Sequence, residues 1–249
     1  MFETTRGLVL RSVRYKESDK ILTVLTESEG KLTLRARGAL RKGGKLAAAT
    51  ELYTLSEMTL FSNRGRWQLN EAQTIEQFIG LRENFSSLAL AAYFAEVLDT
   101  VSEEGAPDPA VLQLGLNSLY ALSRELVSPR LIKAVFELRL MAITGYEPDL
   151  SGCAGCGRQD MASAAFYAPE GAIFCPDCMH EAPGAVTHLT PEVLQAMRHI
   201  VYSAPKKIFS FTLPDAAMSQ LAACAEQYLL LQLERGFSSL DYWKKVKDL

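Results

Sequence analysis

The chain has 249 residues, 48% of them apolar and 22% charged, and a formal net charge of −3; this balance excludes a disordered or strongly polyionic chain and leaves enough length to bury a core. Its most apolar run, LALAAYFAEVL at residues 88–98, is cut by Glu96 and too short to cross a bilayer, and the N-terminus has no basic start, apolar core and cleavage site of a secretory signal. The expectation is a cytoplasmic protein with no membrane role, where clustered cysteines stay reduced and hold metal in preference to forming disulfides.

The charge is unevenly placed. Residues 1–80 carry 13 Lys+Arg against 9 Asp+Glu, and the rest carries 13 against 20, so a polyanionic partner is expected at the first third. From residue 6 to about 75 the segments RGLVLRSVRY, KILTVLTE, KLTLRARG, ELYTLSEMTLF and RWQLNEAQTI are rich in Val, Leu, Thr and aromatics. They are separated by KESD, SEGK, the long ALRKGGKLAAAT and SNRG, and five such short strands, meandering, predict a small closed β-barrel. The period then changes. Over residues 78–104 Leu88, Ala91, Ala92, Ala95, Leu98 and Val101 recur at three and four, which predicts an amphipathic helix.

Further helices carry their own start signals: Pro109, then Ser128 with Pro129, then Thr190 with Pro191. A last helix is expected over residues 215–235, with Gly236 as its C′ residue. Between two of these helices lies CAGCGRQDMASAAFYAPEGAIFCPDC, which holds four of the five cysteines, Cys153, Cys156, Cys175 and Cys178. The spacing C-x2-C-x18-C-x2-C is that of a zinc ribbon, each C-x-x-C turn offering two thiolates to one ion. AAFYAPEGAIF reads as a hairpin that returns the second knuckle to the first. Four cysteine ligands leave no open position for water or substrate, so one structural Zn²⁺ per chain is expected, with an iron–sulfur cluster, a redox dithiol and free thiols as the alternatives. His180 is near enough in sequence to replace a ligand, though a solvent-facing histidine is the simpler reading. Cys224 falls on the buried stripe of the last helix and reads as a small core thiol.

No catalytic constellation stands out. His180, His188 and His199 have no motif partner, and GALRKGGK fails as a phosphate loop because neither its lysine nor its hydroxyl is in register. What that region does have is charge: Lys31, Arg35, Arg37, Arg41, Lys42 and Lys45 with no acidic residue over positions 31–50. In KLTLRARG, Leu32, Leu34 and Ala36 alternate with Thr33, Arg35 and Arg37, so an inward apolar face implies an outward basic ladder. The glycines that follow allow a flexible approach to a phosphate backbone, Arg64 and Arg66 near Trp67 extend the patch, and Tyr15 and Trp67 are candidate base-stacking platforms. The competing reading of the charge run is a solvated hairpin that protects a sheet edge.

The opening RGLVLRSVRYKESDKILTVLTESEGKLTLRARGALR, the internal ELRLMAITGYEPDLSGCAGCG and the late GAIFCPDC together resemble the bacterial recombination mediator family RecO. The resemblance implies an α+β protein: a five-stranded OB-fold barrel at 1–78 that binds DNA, then an α-helical domain at 79–249 carrying a zinc-binding segment at about 150–182 between helices. It implies a non-enzymatic protein that binds single- and double-stranded DNA and anneals complementary strands; by the charge pattern above, the DNA is expected along Arg35, Arg37, Arg41, Lys42, Lys45, Arg64 and Arg66. With RecR it would help load RecA onto DNA coated by single-stranded DNA-binding protein (SSB), acting in the cytoplasm and at the nucleoid during repair. The acidic, hydrophobic SSB tail would be met by the helical domain, where Arg130, Lys133 and Arg139 are the basic candidates. Two other functions stay open on the residues alone: a zinc-ribbon adaptor that docks protein partners without binding DNA, and a zinc hydrolase, which needs an open coordination position.

Overall fold

Alternate residues of the first five strands turn inward and close on one another. The computed structural model describes residues 2–63, 65–161, 163–181, 184 and 186–247, and in it β1 (Phe2–Tyr15), β2 (Asp19–Thr26), β3 (Gly30–Ala36), β4 (Leu55–Asn63) and β5 (Arg66–Glu76) form a closed barrel in the order β1-β2-β3-β5-β4. Val9, Leu22, Val24, Leu32, Leu34, Met58, Leu60 and Leu69 fill it, the inward set of a period-two pattern. The predicted meander is broken at one point. The chain leaves β3 through the loop at 37–54 and returns as β4 beside β1, so that β3 and β5 pair in parallel, with Leu34 opposite Trp67 and Ala36 opposite Leu69. This is the OB-type closure.

That loop is more ordered than its glycines suggested. Arg41 N–H donates to Gly38 O, Gly44 N–H to Arg41 O and Ala47 N–H to Gly44 O at 2.9–3.1 Å, a chain of tight turns, and Leu46 packs on the barrel core. Gly30, at φ +67°, opens β3 where no side chain fits: a Cβ would lie 2.4 Å from the carbonyl of Glu103. The close approach lets Lys31 N–H donate to Glu103 O at 3.0 Å and holds the β2–β3 turn on the segment after the first helix.

The described residues fall into two compact units, one running up to Arg124 and resuming at Phe237, the other Glu125–Gly236. In the first unit the barrel is followed by a 3-10 turn at Ile79–Arg82, then α1 (Phe85–Val101) and α2 (Pro109–Ser123). The side chains of Asn84 and Asp108 cap these helices by accepting from Ser87 N–H, and from Ala110 and Val111 N–H. The second unit contains α3 (Pro129–Ile143), β6 (Asp149–Cys153), β7 (Ala164–Tyr167), β8 (Ala172–Phe174), β9 (Val186–Leu189), α4 (Pro191–Tyr202) and α5 (Asp215–Gln232). Ser128 caps α3 as expected; Thr190 stands at the N-cap of α4 but makes no side-chain cap bond, and its own N–H donates to Gln220.

The last predicted helix needs correcting. α5 stops at Gln232, and Glu234 at φ +51°, not Gly236, takes the left-handed conformation after it. A further helix, α6 (Ser238–Val246), begins two residues past Gly236 and belongs to the first unit. It buries Leu240, Trp243 and Val246, the Phe237 ring meets Tyr93 edge-on at 5.7 Å, and Glu96 accepts from Ser239 N–H at 3.1 Å in place of a local cap.

Candidate functional site

The four clustered cysteines come together. Their sulfurs all lie within 4.8 Å of one another, and Cys156 Sγ is 3.8 Å from Cys175 Sγ, matching the edge of about 3.8 Å for a sulfur tetrahedron around a zinc at bonds of about 2.3 Å. The hairpin between the pairs is present, with Phe166 opposite Ile173 and Gly171 at φ +61° in its turn. β6 and β9, which carry no strand signal of their own in the sequence, extend it to a four-stranded sheet in the order β6-β8-β7-β9. Gly155 is required by contact: a Cβ there would be 2.9 Å from the Cβ of Cys178.

The first knuckle is built for a thiolate. Burial opposes ionisation of Cys153, yet the backbone N–H groups of Cys175, Cys156 and Gly155 outweigh it and bring the group down to about 6; the Cys175 N–H lies 3.2 Å from its sulfur. Hydrogen bonding to Cys175 and Cys156, with burial, pushes Cys178 up to about 12. Four sulfurs this close cannot all be anionic without a cation among them, and a soft divalent ion supplies that charge. The donor set therefore fits a metal ion held by Cys153, Cys156, Cys175 and Cys178. His180 is not part of the group: its ring stacks on Tyr167 at 4.8 Å and its backbone N–H and carbonyl both bind the Tyr167 hydroxyl. Cys224 is buried on α5, and desolvation pushes its thiol up to about 12, the behaviour of an inert core cysteine.

On the barrel, Thr33, Arg35 and Arg37 face outward while Leu32, Leu34 and Ala36 are buried. The basic residues divide into two groups. Arg35 donates twice to Asp19 at 2.7 and 3.0 Å and lies over the Tyr15 ring at 5.3 Å, and Lys31 pairs with Asp99 at 3.1 Å. Asp19 also accepts from Gly38 N–H at 2.9 Å, so Arg35 is half-committed to anchoring the loop and is not a free phosphate ligand. Arg37, Arg41, Lys42, Lys45 and Arg66 are exposed and have no ion-pair partner among the described residues. Arg64 lies outside the described residues. Tyr15 is exposed, whereas Trp67 is half-buried and packs on the barrel core, so it serves the fold more than the surface. Arg14 and Lys16, exposed beside Tyr15 at the β1–β2 turn, add to the basic surface; in the sequence Arg14 reads only as part of a strand and Lys16 only as part of the KESD connector.

The three helical candidates separate. Lys133 is 2% exposed and sits between Glu137 and Glu226 at 2.8 Å each, so it is a buried ion-pair centre and not a surface contact. Glu137 lies four residues on along α3, a pairing visible in the sequence, but Glu226 comes from α5, and neither that partner nor the burial could be read from the helix alone. Arg139 donates to the carbonyls of Ile200 and Val201 and so closes the end of α4. Arg130 alone is exposed, with a 3.1 Å bond to Ser219. Elsewhere in this unit a groove of about 770 Å³ runs between α4 and residues 211–214, walled by Ala196, Phe211, Leu213 and Pro214, with Arg198 among its lining.

Fold and site together define a class: a closed five-stranded barrel followed by helices, with a four-cysteine metal cluster in a small sheet between two of them. The family model described as recombination protein O N terminal matches residues 1–78, and that described as recombination protein O C terminal matches residues 82–241. The chain belongs to the RecO family of DNA repair proteins. It is 32% identical over 242 residues to the DNA repair protein RecO of Acetivibrio thermocellus, covering 97% of this chain and 96% of that one. It is 31% identical over 250 residues to that of Listeria monocytogenes serotype 4b (98% and 97% covered) and 30% identical over 245 residues to that of Symbiobacterium thermophilum (97% and 96%). No helix among the described residues is long and apolar enough to cross a membrane.

Proposed function

We propose that the protein is a non-enzymatic recombination mediator that binds single- and double-stranded DNA on the outer face of its barrel and anneals complementary strands. With RecR it helps RecA load onto SSB-coated DNA, in the cytoplasm and at the nucleoid during repair. The observation that carries this reading is the set of exposed, unpaired cations, Arg37, Arg41, Lys42, Lys45 and Arg66, on an OB-type barrel. Residues 1–78 serve as the DNA-binding domain and 79–249 as the partner-binding and metal-binding part. Arg35 contributes field and orientation through Asp19. Arg64, two positions before Arg66 in the sequence, is retained as a further DNA-contact candidate.

The metal is a structural zinc. It supplies fixed geometry to a segment with little core, and Cys153, Cys156, Cys175 and Cys178 hold it with no ligand position left for substrate. For the acidic, hydrophobic SSB tail, Arg130 is the surviving candidate of the three, and the apolar groove lined in part by Arg198 is the better chemical match. The test is annealing: the purified protein should pair complementary strands coated with SSB with no nucleotide added. Failure to anneal and to shift DNA, with a protein partner still co-purifying, would favour the adaptor instead.

A further inference from the structure

Four outward side chains lie in one row across the barrel. Arg35 on β3 is opposite Gln68 on β5, Gln68 is opposite Phe61 on β4, and Phe61 is opposite Phe2 on β1. Their neighbours Leu34, Leu60 and Leu69 turn into the core, which fixes the row on the outside. The Phe2 and Phe61 rings are 5.0 Å apart at 43°, and Phe2 is 65% exposed. Two rings held against water on a sheet face are a cost that a closed barrel does not require, since the core is already filled without them. Beside them opens a cavity of about 300 Å³ lined by both rings, Arg37, Gln68, Asn70 and Leu46.

We infer that this cavity is a nucleobase site for single-stranded DNA, with a base against the Phe2 and Phe61 rings, its edge on the Gln68 and Asn70 amides, and its phosphate at Arg37. The inference rests on the DNA-binding reading above and deepens it. Each part matches one part of a nucleotide: an aromatic face for any base, amides that both donate and accept, and a cation at the rim. The row also gives a direction, from the cations at the end of β3 across β5 and β4 to β1. Bases of a duplex are stacked on both faces and cannot enter, so the site distinguishes single strands from duplex without reading sequence.

The experiment measures binding of the full chain by fluorescence anisotropy at about 150 mM salt. Three probes are compared: an oligothymidylate of about 15 nucleotides, a strand of the same length with abasic sugars, and a duplex. The parent should bind the base-bearing strand at least about fivefold more tightly than the abasic strand, the factor given by about 1 kcal/mol of stacking. Phe2→Ala combined with Phe61→Leu should erase that gap and leave abasic and duplex affinities within about twofold of the parent; Phe61→Tyr should preserve it. Phe2→Ala alone, at an exposed position, keeps the test independent of folding and should narrow the gap. The inference is overturned if the parent shows no gap, if the gap survives the double variant, or if all three probes weaken equally. A parent that binds no probe overturns the underlying DNA-binding reading, a separate result.

Discussion

Asp19 accepts from the Gly38 N–H and from two nitrogens of Arg35, so one carboxylate ties the end of β3 to the start of β2 and to the basic loop. The Gly38 backbone bond, then the Arg35 bonds, hold its carboxyl at about 2 against an ordinary 3.8. A depressed carboxyl stabilises the fold fully above its unfolded value and loses that contribution as pH falls through the folded one. The difference in melting temperature between the parent and Asp19→Asn should therefore be constant above about pH 5 and shrink between about pH 4 and 2; a difference that does not change with pH would remove Asp19 from this role. Lys133 gives the second residue-scale expectation. Its removal leaves Glu137, fully buried, without the ammonium, so Lys133→Ala should cost about 3–5 kcal/mol in denaturant unfolding. Arg130→Ala should cost under about 0.5 kcal/mol. Neither role could be read from the sequence. Alternation in KLTLRARG revealed that Arg35 points outward, but its partner comes from sixteen residues earlier, and Lys133 meets Glu226 from another helix.

At the scale of elements, the four-cysteine sheet and the helix ends show what local pattern can and cannot specify. The knuckles and the β7–β8 hairpin were legible because spacing and turn chemistry are local, as were the helix starts marked by Pro109 and by Ser128 with Pro129. β6 and β9 were not, since each is four or five residues long and gains its identity from pairing across the sheet. α6 was missed for the same reason: nine residues with a polar majority form a helix once Leu240, Trp243 and Val246 pack and Glu96 supplies the cap. The metal cluster yields a count. Zinc-loaded native protein should resist alkylation; chelation should expose four thiols per chain, and the fifth, Cys224, should react only after unfolding. Reaction of all five on chelation alone would mean that the metal supports more than its own segment. Cys153→Ser should lower the melting temperature while leaving DNA affinity per folded molecule within about twofold, since its site and the basic face belong to different compact units. Normal stability with lost DNA binding would reverse that assignment.

For the whole molecule, the most conspicuous chemistry and the working surface are different parts of the chain. Four thiolates draw attention in the sequence, yet their closed geometry suits them to holding structure, whereas DNA binding is ascribed to cations whose significance depends on which of them are already paired. The barrel, its basic side and the family likeness are legible in the sequence, because period, charge and motif are written along the chain. The Phe2–Phe61 pair is not, since its members stand fifty-nine positions apart and only the β1–β4 register brings them together. The central claim is that Arg37, Arg41 and Lys42 neutralise phosphates. It is tested most directly by the salt dependence of single-strand affinity in the parent and in the triple alanine variant, which spares Arg35 and so the Asp19 anchor. Each lost phosphate contact removes about 0.7 from the slope of log affinity against log salt. The slope should therefore become shallower by about 2 in the variant, with an unchanged melting temperature. An unchanged slope at unchanged stability would contradict the account and move the DNA to another surface.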